Sequence, residues 1–232
     1  MGVMSYVGNV VSNTISAAGN MVSSAVNCVG NIASSVGSSL TNTAKTLLTV
    51  AGEYFSPMLN IISNIAKLIS VLDTNDDLET LAMQAELSDK NPKDFNSYQE
   101  YIDHLRNDIV IDRKKMEKAN EFQRMAYQAI GATIAIKGIN EQKGFEIPVK
   151  AWSVFARQNM ENKETVVNAV IDSFGDTIQD YVDYAQGELK LDKEIEVGNR
   201  LAETYKTLNP DLSEADIEKK VMELELSPEH RL

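Results

Sequence analysis

Apolar residues recur every eleven positions along the first third of the chain. Gly8-Asn9, Gly19-Asn20 and Gly30-Asn31 are eleven residues apart, and an apolar pair follows each of them. The same phase continues less strictly to about residue 73. Eleven residues in three turns give about 3.67 residues per turn, close to the α-helical value, so one face stays aligned along the helix. The pattern therefore predicts an amphipathic, N-terminal helical arm, residues 1–72, built of eleven-residue repeats.

The two faces of this arm differ in polarity but hardly in charge. At roughly 98° per residue, the repeat gathers the bulky apolar side chains within an arc of about 160°. We predict that this apolar face contacts a membrane or another protein surface, and its members are Val10, Val11, Ile15, Met21, Val22, Val26, Val29, Ile32, Val36, Leu40, Leu47 and Leu48. The predicted polar face comprises Asn9, Ser12, Asn20, Ser23, Asn31 and Ser34.

The arm needs a surface that buries its apolar face. Gly, Ser, Asn and Val are poor helix formers, and no Glu–Lys pairs support the helix, so the isolated arm should be disordered in water. A lipid surface, a water-filled membrane pore, assembly with other copies and packing against the rest of the chain all remain open. The sequence also leaves open whether the arm is one helix of ~100 Å or bends near Gly30–Gly37 or Ser56-Pro57.

Residues 73–232 are predicted to form an acidic helical bundle of five or six helices. Apolar side chains there follow the 3–4 spacing of helices, and the strongest strand signal is the short run Ile109–Ile111. Asp73–Asp77 should form a hinge that caps a helix near Leu78–Glu86. Ser97 should cap the next helix, whose pattern extends to about Lys137.

The later helices follow from their own start and stop signals. Pro148 suits a helical first turn, and Asn162 and Ser213 are predicted N-caps. The residues after Asn162 form the clearest apolar stripe of the chain, ending near Ala185. We expect the polar tail Ser227–Leu232 to be disordered. The predicted fold class is therefore all-α, with an amphipathic arm and an acidic helical domain.

Charge divides the chain at the same place. The protein has a net charge of −12, but residues 1–72 carry only Lys45, Glu53 and Lys67, a net of +1. The remaining residues therefore carry −13, which repels phosphates and argues against a nucleic acid partner. Cys28 is the sole cysteine, so no disulfide forms within the chain.

The N-terminus and the apolar runs bear on localisation. Met1–Tyr6 lacks the basic segment of a cleavable signal peptide, and no apolar run reaches the ~18–20 residues of a spanning helix. We therefore expect any membrane contact to be that of an amphipathic helix. A protein outside the producing cell or in a virion would arrive there without a cleavable signal.

Candidate chemistry is sparse. We find no phosphate-binding loop, nucleophile elbow or zinc pattern. Glu100, His104 and Asp108 share a predicted helix face, but no second helix offers the Glu-x-x-His of a dimetal site. The stretch from Asp73 resembles a calcium loop, but Leu78 stands in its glycine position. We therefore predict a non-enzymatic protein that needs no cofactor or metal.

These observations favour a protein that inserts or assembles through its N-terminal repeats at a membrane. The plan resembles that of helical pore-forming or cell-delivered proteins, and of virion proteins ejected with a phage genome, on architecture alone. The resemblance implies self-association, with the acidic domain free to bind a protein partner. The alternative is a homo-oligomeric structural subunit of a virion or secretion machine without lipid contact.

Overall fold

The structure is a computed structural model that describes residues 20–32, 36–112 and 117–232. Its main helices, in chain order, are α1 (residues 20–32), α2 (Ser38–Ala51), α3 (Phe55–Leu68), α4 (Leu78–Leu87), α5 (Tyr98–Asp108), α6 (Glu121–Lys143), α7 (Val149–Arg157), α8 (Lys163–Phe174), α9 (Ile178–Gln186), α10 (Leu191–Leu208) and α11 (Glu214–Met222). No strand occurs within the described ranges. The predicted all-α class is confirmed.

Short polar side chains start several of these helices where the sequence predicted them. The Asp77 carboxylate accepts a hydrogen bond from the Thr80 amide at 2.9 Å, and α4 follows. The Ser97 hydroxyl accepts from the Glu100 amide at 3.1 Å and starts α5. These contacts satisfy amide groups that have no acceptor within the first helical turn.

The chain packs as two compact units, and the first comprises Met1–Phe55 and Asn75–Ile134. Within it, α6 passes very close to the start of α4 at Gly131. A Cβ atom added to Gly131 would lie 1.9 Å from the carbonyl oxygen of Leu78. Only glycine allows this approach between the two backbones.

The second unit comprises Ser56–Thr74 and Ala135–Leu232. Aromatic side chains fill its centre: the ring centroids of Phe155 and Tyr181 are 5.2 Å apart, and Phe174 lies 5.7 Å from Tyr181. Trp152 is fully buried beside Phe155. Both units thus take residues from both sides of position 72, where the charge of the chain changes.

The prediction of one long helix from Ser97 to about Lys137 is wrong. Non-helical residues precede α6, and α6 extends beyond Lys137. Residues 109–112 are non-helical, because the β-branched run Ile109–Ile111 favours extended backbone. A new helix then starts at Asn120, whose side chain accepts from the Gln123 amide at 3.0 Å while Gln123 accepts from the Asn120 amide. Helix α6 continues through Gly138 and ends at Gly144, where φ is +81°.

Two other expectations are corrected in the second unit. Asn162 precedes α8 but makes no side-chain cap, because its backbone is left-handed with φ +49°. The C-terminal tail is not disordered: Pro228–His230 forms a 3-10 turn. The Leu226 amide donates to the Ala185 carbonyl at 2.8 Å, and the Leu232 amide donates to Gln186 at 2.9 Å.

Candidate membrane or assembly surface

Most of the described part of the predicted apolar face lies in the interior of the first unit. The side chains that are 6% exposed or less are Val29, Ile32, Val36, Leu40, Leu47 and Leu48. Met21, Val22 and Val26, nearer the start of α1, are half-buried. Val10, Val11 and Ile15 lie outside the described residues.

Cys28 places α1 next to α6. This half-buried thiol lies close enough to Tyr127 to affect its ionisation. Burial raises the pKa of Tyr127, and Glu86 and Cys28 raise it further. The Tyr127 hydroxyl donates to Glu86 at 3.0 Å, which fixes the Tyr127 ring.

The predicted polar face points outward wherever the structure describes it. Asn20, Ser23 and Asn31 are exposed, and Asn9, Ser12 and Ser34 lie outside the described residues. The only charged side chain between residues 20 and 51 is Lys45, which is half-buried. Water therefore meets a face that is polar but almost uncharged.

Threonine hydroxyls on α2 bond to the backbone of their own helix. Thr41 donates to the Gly37 carbonyl at 2.8 Å, Thr46 to the Asn42 carbonyl at 3.0 Å and Thr49 to the Lys45 carbonyl at 2.9 Å. A hydroxyl that already donates within the helix loses less when it leaves water, as threonines of membrane helices show. This arrangement lowers the cost of moving α2 to a less polar environment.

The helical arm is broken at Gly37. Its φ of +87° and ψ of 153° fall in a region that is essentially restricted to glycine, and no side chain caps the start of α2. A second break follows α2 at Gly52, where φ is +54°. The described part of the arm is therefore not one straight helix.

The loop after α4 lies against this break. A cavity of about 300 Å³ is lined by Val36, Gly37 and Leu40 from the arm, and by Asn91 and Tyr98 from the loop side. An added Cβ at Gly37 would come within 3.8 Å of the Asn91 side chain. The space around the break is therefore only partly filled.

His104 joins α4 to α5 and does not build a metal site with Glu100. Its Nδ1 lies 2.8 Å from Asp108, and its Nε2 lies 3.2 Å from the Ser88 hydroxyl. The sequence pattern did not predict a role for Ser88. Glu100 instead accepts from the Asn96 amide at 3.0 Å. Ser88 is 8% exposed, and its hydroxyl also lies 3.1 Å from both the carbonyl and the amide of Lys90. Ser88, His104 and Asp108 thus form a hydrogen-bonded cluster, the clamp at His104, which links the end of α4 to α5.

The carboxylates of the calcium-like stretch are engaged elsewhere. Asp76 binds Arg106 at 2.6 Å, with both side chains mostly buried, and Asp77 caps α4. Within the described ranges, no group of three or more His, Cys, Asp or Glu side chains converges as metal ligands do. The prediction that the protein needs no metal or cofactor remains untested by these contacts.

A groove of about 770 Å³ on the second unit is a candidate place for the predicted protein partner. Leu68 on its wall is 55% exposed. Arg200 on the same wall donates to the Ser173 carbonyl and to the Thr177 hydroxyl, and its guanidinium lies 4.7 Å from the centre of the Phe174 ring. The Arg200 cation is thus engaged inside the unit, and the groove wall also carries the carboxylates of Asp172 and Glu203 beside apolar and neutral polar groups.

Within the described residues, no helix is long and apolar enough to cross a membrane. Comparison of the chain with protein-family models, curated proteins and solved structures finds no match. The proposals below therefore depend on the residues and contacts of this chain alone.

Proposed function

We propose that this protein is a non-enzymatic, membrane-interacting protein whose N-terminal eleven-residue repeats insert or assemble at a lipid surface. The observation behind this proposal is the outward face of α1 and α2, which is almost uncharged and whose exposed Thr46 and Thr49 hydroxyls bond within the helix. A helix that needs only to be soluble usually carries charged residues on its exposed face. An uncharged Ser/Thr/Asn face opposite bulky apolar residues is typical of helices that insert by hydrophobic burial.

The proposal requires the arm to leave the interior of the first unit. Burying one Val, Leu or Ile side chain stabilises a fold by about 1.5–3 kcal/mol, so exposing six of them to water costs about 9–18 kcal/mol. In water the arm therefore stays packed. A lipid surface offers an equivalent apolar environment, so the cost falls when the same face moves directly from protein to lipid.

Two pairs of aspartates on α1 test this proposal. Val22→Asp with Val26→Asp charges the half-buried side, and Ser23→Asp with Asn27→Asp adds the same charge to the exposed side. On uncharged phosphatidylcholine vesicles, we expect the valine pair to weaken binding by roughly 100-fold, since one buried Asp costs about 2.5–3.5 kcal/mol at the membrane centre. The Ser/Asn pair should bind like the wild type. Vesicle flotation measures binding, and circular dichroism checks that both variants fold.

Equal binding by the two pairs would contradict insertion through the apolar face. The single cysteine gives an independent readout, because an environment-sensitive dye on Cys28 labels one site only. Upon insertion its emission should shift to the blue, and brominated lipids should quench it. A dye at Ser23→Cys in a Cys28→Ser background should remain in water.

A lipid-free structural subunit is the second candidate, and it is favoured by the burial within the chain of six side chains of the predicted apolar face: Val29, Ile32, Val36, Leu40, Leu47 and Leu48. The exposed Asn/Ser/Thr face would then contact other copies. The same variants separate the two functions. If Ser23→Asp with Asn27→Asp breaks up an oligomer in analytical ultracentrifugation and no variant binds vesicles, the structural subunit is the correct function.

A further inference from the structure

We infer that Gly37 is the hinge through which the arm changes from its packed, bent form to one continuous helix that presents the apolar face. This inference rests on the proposed function and specifies how the membrane-active form arises. Two independent observations carry it: the glycine-only backbone at Gly37, and the spacing of the buried residues on either side of it.

The spacing of buried residues is continuous across the break. Val29 and Leu40 are eleven residues apart, as are Val36 and Leu47, and all four are at most 1% exposed. Both intervals span Gly37, where the helix is interrupted. In a bent arm each helix turns its own face inward, so the two faces need no common phase. A shared phase matters in a straight helix, where it aligns all four side chains in one stripe.

The break costs little to close. Gly37 has no side chain to move, and no side chain caps the start of α2. The hydroxyl and the amide of Thr41 already bond to the Gly37 carbonyl, as in a helix that continues through this residue. Straightening requires the backbone of Gly37 and of the other residues between α1 and α2 to be helical. Residues 20–51 would then form a helix of about 48 Å.

A buried thiol can report whether Gly37 controls opening in water, without lipid. Val29→Cys in a Cys28→Ser background places the only thiol at a fully buried position of α1. Gly37→Ala cannot adopt the bent backbone without strain, so we expect the introduced thiol to react with a maleimide at least 10-fold faster. Gly52→Ala is the matched control, because Gly52 also has a positive φ and nothing lies near its added Cβ. Its rate should stay within 2-fold of the parent.

Equal acceleration by both alanines would show general destabilisation and overturn the hinge, as would no acceleration by Gly37→Ala. If Gly37→Ala does not fold, the parent thiol protein decides. A modification rate that is insensitive to low urea shows local opening of the arm and supports the hinge. A rate that follows global unfolding at every urea concentration overturns it.

Amide exchange on wild-type protein separates the hinge from the proposed function. In a helix that begins at Ser38, the first amides lack an acceptor from their own helix, and straightening supplies one. With phosphatidylcholine vesicles present, exchange at Ser38, Ser39 and Leu40 should slow at least 10-fold. Vesicle binding with unchanged exchange there would overturn the hinge and leave the proposed function standing. Absence of vesicle binding would contradict the proposed function, while the thiol rates in water would still decide the hinge.

Discussion

At Gly131 the backbone of α6 approaches the first residue of α4 more closely than any side chain allows. The 1.9 Å between an added Cβ and the Leu78 oxygen involves backbone atoms, which cannot rotate away as a flexible side chain does. The helices would have to separate, and the packing of Leu78, which is 7% exposed, would change with them. The absence of a side chain at Gly131 therefore allows the short distance between α6 and α4.

We predict that Gly131→Ala lowers the free energy of unfolding by about 3 kcal/mol or more, because it overpacks two backbones. Gly198→Ala is the matched control, since Gly198 is also helical and nothing lies within 4 Å of its added Cβ. It should stabilise the protein by up to about 1 kcal/mol through helix propensity. Urea unfolding followed by circular dichroism measures both. Equal effects at the two glycines would contradict the close approach.

At the scale of elements, the clamp at His104 connects the end of α4 to the face of α5. The His104 side chain is 9% exposed and touches both Ser88 and the Phe95 ring, whereas Asp108 is 66% exposed. The two hydrogen bonds of the imidazole thus lie in different environments. A buried polar contact contributes more to stability than an exposed one, because losing it leaves a partner without water.

We predict that His104→Ala destabilises the first unit by about 1–3 kcal/mol, because it leaves a small cavity beside Phe95 and Ser88. Asp108→Ala should cost at most about 1 kcal/mol, because its bond is exposed. Thermal unfolding of the three proteins provides the measurement. A larger loss for Asp108→Ala would mean that the exposed hydrogen bond, rather than the buried contact with Ser88, contributes most of the stability at His104.

The elements show which parts of the structure the sequence could predict. Helix α4 and the start of α5 were predicted closely, because Asp77 and Ser97 cap them through local hydrogen bonds. The break before α6 was missed, because the 3–4 spacing of apolar residues continues across it while Asn120 and Gln123 start a new helix. Spacing alone does not reveal a change of helix axis.

The apolar pattern predicts which side chains of the arm share a face, but it does not predict what covers that face. Six of the nine described side chains of the predicted apolar face, Val29 and Leu40 among them, are buried, and the contact of this face with a membrane or another protein stays a prediction. A pattern of burial does not specify whether lipid, another copy or the same chain covers the face. Ser88 was missed because its partner His104 is sixteen residues away, and no local signal links them.

At the scale of the molecule, packing and charge divide the chain differently. The second unit includes residues 56–74, where Met58, Ile62 and Ile65 are fully buried. A fragment that starts at residue 73 would therefore lose core side chains from both units. The charge boundary at residue 72 stays a prediction about domains until fragments are compared.

We predict that a fragment of residues 73–232 unfolds at a lower temperature than a fragment of residues 56–232, because the longer one keeps the second unit intact. Trp152 is the only tryptophan and is fully buried in that unit, so its fluorescence reports on it alone. We expect redder Trp152 emission and a midpoint at least about 5 °C lower for the shorter fragment. Equal midpoints would support the division at residue 72 instead.

The uncharged exposed face of α1 and α2 belongs to a protein with a net charge of −12. In the electric field near an anionic surface, a charged region is pushed away while a neutral region is not. The field thus exerts a torque that turns the molecule, within about 10 Å of the surface at physiological salt. We therefore expect an anionic surface to repel the neutral face less than the acidic remainder of the chain, so that charge would orient the encounter before any contact forms.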